Sequence, residues 1–124
     1  MNNISSPRTD DTGIEHAIIA KGLTAPRVTP SDITANISSV HFFTAREGCE
    51  GAHATGGQVY HESLGRLTFC VIVLKNGFTV TGESACVSPE NFDITIGQQV
   101  AKANAIDKIW PLMGYALAER LQRA

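Results

Sequence analysis

The sequence predicts an α+β fold: a three-stranded antiparallel sheet with helices on one of its faces. Three observations carry this. Leu67–Leu74 (LTFCVIVL) is an unbroken run of strand-type residues, and it leads into Asn76-Gly77, the strongest two-residue hairpin signal. Downstream, Ile96, Val100, Ala103, Ile106 and Trp110 recur at helical spacing. Upstream, Thr29-Pro30-Ser31-Asp32 combines a capping residue, a proline suited to the first helical position and an acid for the positive helix end.

Each element follows from its residues. Residues 1–12 are polar and read as a flexible N-terminus, with residues 13–124 forming a single α+β domain. Asp10, Asp11 and Thr12 offer caps for a short helix over Gly13–Lys21, with Ile14, Ala17 and Ile18 as its apolar stripe and Gly22 past its end. A second short helix starts at Pro30 and is expected to end near Ser38, with Ile33 and Ile37 on one face. Val40–Thr44 is aromatic and β-branched, a strand. Arg46–Leu64 holds four glycines and no apolar period, so it reads as a long loop.

A type I′ turn at Asn76-Gly77 would pair Leu74 with Thr79, Val73 with Val80 and Val71 with Gly82. Phe69, Val71, Val73, Phe78 and Val80 would then form the core face. Thr68, Cys70, Ile72, Leu74, Thr79, Thr81 and Glu83 would form a mixed second face, suited to a partner. The long helix runs from about Asp93 to Trp110. Pro111 breaks it, and a last helix carries Met113, Leu117 and Leu121.

Composition narrows the function classes. The chain has 124 residues, 43% of them hydrophobic, and a net charge of −2. Its pI of about 6.0 argues against nucleic acid or anionic membranes as non-specific partners. The longest apolar run falls well short of the ~20 residues a membrane helix needs. Three cysteines, Cys49, Cys70 and Cys86, do not make a disulfide framework, and a reducing cytoplasm is the expected compartment.

No catalytic constellation stands out, and the chain reads as a non-enzyme without a cofactor. Gly82-Glu83-Ser84-Ala85-Cys86 resembles a nucleophile elbow only in its first residues, because the elbow needs a second glycine at its fifth position. Cys49, His53, His61 and Glu62 are metal-ligand types, but their spacing is irregular and glycines lie between them, so no metal site is assigned. Arg27, Arg46, Lys102 and Lys108 are cations able to hold phosphate. The helix–strands–helix order is reminiscent of a double-stranded-RNA-binding domain, yet Glu90 and Asp93 occupy the place where such a module grips phosphate.

Three segments together, TAPRVTP (Thr24–Pro30), LTFCVIVLKNGFTVTGESACVSPENFD (Leu67–Asp93) and IGQQVAKANAIDKIWPLMGYALAERL (Ile96–Leu121), resemble the gene 49 / gene 66 family of small tailed-phage proteins. The resemblance implies a phage origin and action in the cytoplasm of an infected bacterium. It supplies no activity, cofactor or site residue. The expectation is a small binding protein acting on the host as an anti-defence sponge: a homo-oligomer that sequesters a nucleotide-type immune signal. Arg27 and Lys102 would hold phosphate and Glu83 a base or ribose edge. The alternative is an inhibitor that docks its mixed sheet face or sheet edge on a host protein.

Overall fold

The computed structural model describes residues 6–53 and 56–124. Its elements run α1 (Ser6–Ala20), α2 (Pro30–Ala35), β1 (Ile37–Thr44), α3 (Ala45–Ala52), β2 (Leu67–Leu74), β3 (Thr79–Ala85), α4 (Ile94–Asp107) and α5 (Ile109–Arg123). The strands form one antiparallel sheet in the order β1-β2-β3. This is the expected α+β architecture.

Helix α1 begins at Ser6 rather than Gly13, passing through the residues expected to cap it. Residues 1–5 of the expected flexible terminus lie outside the described residues. The helix closes as the sequence suggests: Gly22 has φ +67, Leu23 N–H donates to Ile18 O and Gly22 N–H to Ile19 O. That pair of bonds satisfies the last carbonyls in a Schellman motif.

Helix α2 starts on a complete capping box. The Thr29 hydroxyl accepts from Asp32 N–H, and the Asp32 carboxylate accepts from Thr29 N–H. Replacing Thr29 by Ala should therefore cost about 1 kcal/mol, read as a lower urea midpoint with an unchanged slope. The helix stops at Ala35, short of Ser38, because Ile37 already pairs with Leu74 in the sheet.

The segment Arg46–Leu64 is not a structureless loop. Thr44 and Glu47 make a second capping box that starts α3, and a 3₁₀ turn spans Glu62–Arg66. Such a short exposed helix needs no apolar stripe, so periodicity does not reveal it. Its signal is the Thr-x-x-Glu spacing.

The hairpin register differs by one residue from the expected one. A type I′ turn needs positive φ at both central residues. Here Gly77 (φ +88) has it, and no non-glycine residue does among those described. Gly77 N–H donates to Leu74 O, and Leu74 N–H donates to Phe78 O. The result is a three-residue loop with a glycine bulge, which pairs Val73 with Thr79, Ile72 with Val80 and Cys70 with Gly82.

A one-residue slip moves a strand's side chains to the other face. Thr68, Cys70, Ile72 and Leu74 are therefore buried beside Val80, while Phe69, Val71 and Val73 join Thr79, Thr81 and Glu83 on the face turned away from α4. The expected core face and mixed face are thus each divided between the two sides of the sheet.

Helix α4 is capped by Asp93, whose carboxylate accepts from Ile96 N–H. It meets the sheet through small residues, Gly97, Ala101 and Ala105, rather than through the larger expected stripe. Close approach is the reason. A Cβ on Gly82 would lie 2.2 Å from Ala101 O and 2.3 Å from Ala105 N, so the helix backbone rests directly on β3. Ile96, Val100, Ala103, Ile106 and Trp110 lie beside that seam, exposed or half-buried.

The helix pair bends at Lys108, three residues before Pro111. Pro111 sits in the first turn of α5, where its missing N–H is not needed, and its ring would clash with the carbonyl four residues back, at Asp107. Helix α4 accordingly ends at Asp107. Ile109, the first residue of α5, is fully buried and anchors the bend in the core with Ile33, Ile72 and Leu74.

Candidate functional site

The segment between α1 and α2 is extended and brings Arg27 to the junction of α1, α2 and α5. Its guanidinium makes a bidentate pair with Glu15 of α1, Nη1 to Oε1 at 2.5 Å and Nη2 to Oε2 at 2.9 Å. Both side chains are largely covered, 27% and 21% exposed. Hydrogen bonding from Arg27 holds the Glu15 carboxyl below the usual carboxylate range, and Glu15 in turn raises Arg27. Asp32, the capping acid of α2, adds a favourable charge on Arg27.

Arg27 lines three surface clefts. The first, of about 430 Å³, lies between α2 and α5 and is bounded by Arg27, Asp32, Asn36, Met113, Leu117 and Arg120. The second, of about 240 Å³, lies under α1 beside Glu15, Ile18 and Trp110. The third, again of about 430 Å³, follows the turn from Ile19 to Thr29. The first is lined by two guanidinium groups, that of Arg27 already paired with Glu15, and by an amide and the Asp32 carboxylate. Its volume also falls in the range of small-molecule sites, roughly 300–1,000 Å³.

Glu83 and Lys102 line none of these three clefts. Glu83 is exposed opposite Phe69, on the sheet face turned away from α4, while Lys102 is exposed on α4 itself. The fold does not gather Arg27, Glu83 and Lys102 into one cleft. Arg120 is the cation that lines the α2–α5 cleft with Arg27. Its signal was helical phase: Met113, Leu117 and Arg120 share one face of α5. Glu15 gave no such signal, because its partner lies twelve residues away in a different element.

Among residues 11–20 of α1, Asp11, Glu15 and Ile18 are half-buried, Ile14 lies with them along the cleft beside Trp110 though 57% exposed, and Ile19 is 62% exposed. Helix α5 also leaves apolar surface open, with Tyr115 72% and Leu121 49% exposed. Of the exposed apolar residues of α1, Ile14 lines the cleft beside Trp110 and Ile19 the cleft along the turn to Thr29, while Tyr115 and Leu121 of α5 lie outside the three clefts.

The remaining candidates have structural roles. Glu62 pairs with Arg66, whose Nη1 also donates to the carbonyls of Cys86 and Val87, tying the 3₁₀ turn to the end of β3. His53 Nδ1 contacts Cys49 O and the Tyr60 hydroxyl, and His61 Nδ1 accepts from Ser63 N–H. Among the described residues, no three of His, Cys, Asp and Glu come together as a metal site. Cys70 is fully buried, and burial pushes its thiol up, away from the reactive thiolate. Ser84 sits in β3 opposite Thr68, and the Cys86 thiol donates to Ser88 O.

The Glu15–Arg27 pair implies a pH dependence. A carboxylate whose folded pKa is lowered contributes stability above its unfolded value and loses it as pH falls through the folded value. Glu62 shifts in the same direction, through Arg66. Thermal melting from about pH 7 down to about pH 3 should show a falling midpoint, and Glu15→Gln should flatten part of that fall. Identical profiles for the two proteins would deny the pair any role.

Among the described residues, no helix is long and apolar enough to cross a membrane. No curated protein and no solved structure matches the chain. A family model does, over residues 28–121, from the end of the Arg27 segment through the sheet and α4 to nearly the end of α5. That span includes both walls of the α2–α5 cleft, and over it the chain belongs to the Phage protein (N4 Gp49/phage Sf6 gene 66) family.

Proposed function

We propose that this phage protein is a non-enzymatic binding protein that works in the cytoplasm of the infected bacterium. As a homo-oligomer, it sequesters an anionic small molecule of nucleotide type, in the manner of an anti-defence sponge. The observation that carries this is the α2–α5 cleft, where Arg27 and Arg120 face one ligand-sized space between helices. Paired guanidinium groups suit phosphate better than lysines do, because each presents a planar fork of donors. The apolar side chains exposed on α1 and α5 support self-association.

Calorimetry of the full chain against cyclic and linear nucleotides tests this. At least one should bind, and Arg27→Gln or Arg120→Gln should weaken that binding at least tenfold, each such factor being about 1.4 kcal/mol. No binding by any nucleotide would refute the proposal.

A second reading has its own observation. The sheet face opposite α4 presents Phe43 and Phe69, with ring centroids 5.6 Å apart, beside Val71 and Val73. An inhibitor of a host protein would use that surface. A stoichiometric host protein captured by the wild type, and lost with Phe43→Asp, would favour this reading over sequestration.

A further inference from the structure

The Arg27 fork is already filled by a carboxylate of the same chain. Both Glu15 oxygens meet both terminal nitrogens of the guanidinium, the geometry in which an arginine also grips a phosphate. We infer that Glu15 is a built-in competitor: it occupies the Arg27 fork when no ligand is bound, and an incoming phosphate displaces it and frees α1. This deepens the proposed function and rests on its assignment of Arg27 to anion binding.

The structure of α1 supports the release. The face that α1 turns to the body mixes the acids Asp11 and Glu15 with Ile14, itself 57% exposed, and Ile18, while Ile19 points outward. Two apolar residues of that face, Ile14 and Ile18, border the small cleft beside Trp110. The Glu15–Arg27 ion pair is one link between α1 and the body. A phosphate carries up to two negative charges against the one of Glu15, so it can win the fork. Each bound phosphate then costs one Glu15–Arg27 contact, which sets both the affinity and the mobility of α1.

Full-length wild type, Glu15→Gln and Glu15→Ala are titrated with inorganic pyrophosphate by calorimetry. Amide hydrogen exchange of residues 11–20 is followed alongside, and circular dichroism checks that each variant is folded. Both variants should bind pyrophosphate about tenfold tighter than wild type. Exchange over 11–20 should already be fast in the variants, and it should accelerate in wild type only as pyrophosphate saturates it. Equal affinity in wild type and both variants would overturn the inference, as would saturation without faster exchange in wild type. The failures separate. Tight pyrophosphate binding by the Glu15 variants with no nucleotide bound would sink sequestration and keep the competitor. Nucleotide binding that ignores Glu15 would do the reverse.

Discussion

Replacing Gly82 by Ala should cost about 3 kcal/mol or more, among the largest effects a single methyl group can have. The added Cβ would meet Ala101 O at 2.2 Å, Ala105 N at 2.3 Å and Asn104 C at 2.9 Å. All three are backbone atoms of α4, so no rotamer change relieves the overlap. The helix itself must lift from β3. Lifting it would also disturb the Asn104 side chain, whose Nδ2 donates to Glu83 O at 2.8 Å and fastens the helix to the strand. Because α4 leads directly into α5, the movement would pass to one wall of the α2–α5 cleft. Urea denaturation should show a much lower midpoint, and whatever remains folded should bind ligand poorly. A change within about 0.5 kcal/mol would mean that α4 does not lie on the strand in this way.

Ile72→Ala should cost about 2–5 kcal/mol, whereas Val71→Ala, one residue away, should cost clearly less. Ile72 is fully buried between the sheet and the helices, in contact with the cluster of Ile33, Leu74, Val80 and Ile109. Val71 is half-buried on the open face opposite Thr81. The comparison reads the hairpin register directly. A type I′ turn at Asn76-Gly77 would place Val71 in the core and reverse the order of the two losses. Equilibrium denaturation of both variants under one buffer decides between the registers.

That register marks the boundary of what was legible in the chain. Local chemistry was readable where one residue type satisfies one backbone need. The cap at Thr29 with Asp32 in the first turn of α2, and the glycine past the end of α1, appear where their residues suggest. The choice between a two-residue and a three-residue hairpin loop was not readable, since Asn-Gly suits both, and a one-residue difference exchanges the faces of β2. The buried face of α4 was hidden for a related reason. Its close approach to Gly82 selects Gly97, Ala101 and Ala105, while a search for large apolar residues finds the neighbouring stripe. The effect of Pro111 was readable, but it falls at Asp107, the carbonyl its ring excludes.

The site divides in the same way. Arg27 is legible as a cation shortly before a strong helix start. Its partners are not, because Glu15 and Arg120 reach it from α1 and α5, elements far apart in the chain. Glu83 was read from the hairpin, so its assignment depended on the register, and the observed pairing puts it across from Phe69. Lys102 is legible as a cation of the long helix, and a charge by itself does not show what its face is near.

The account centres on a self-associating chain that holds a small anion beside Arg27. Native mass spectrometry of the full-length protein, purified from bacteria without a nucleotide-removal step, tests this most directly because it weighs subunits and retained ligand together. The expected species is a whole-number multiple of the 13.3 kDa chain, carrying a small-molecule mass that denaturation releases and Arg27→Gln abolishes. A bare 13.3 kDa monomer at micromolar concentration, unchanged by added nucleotide, would contradict it.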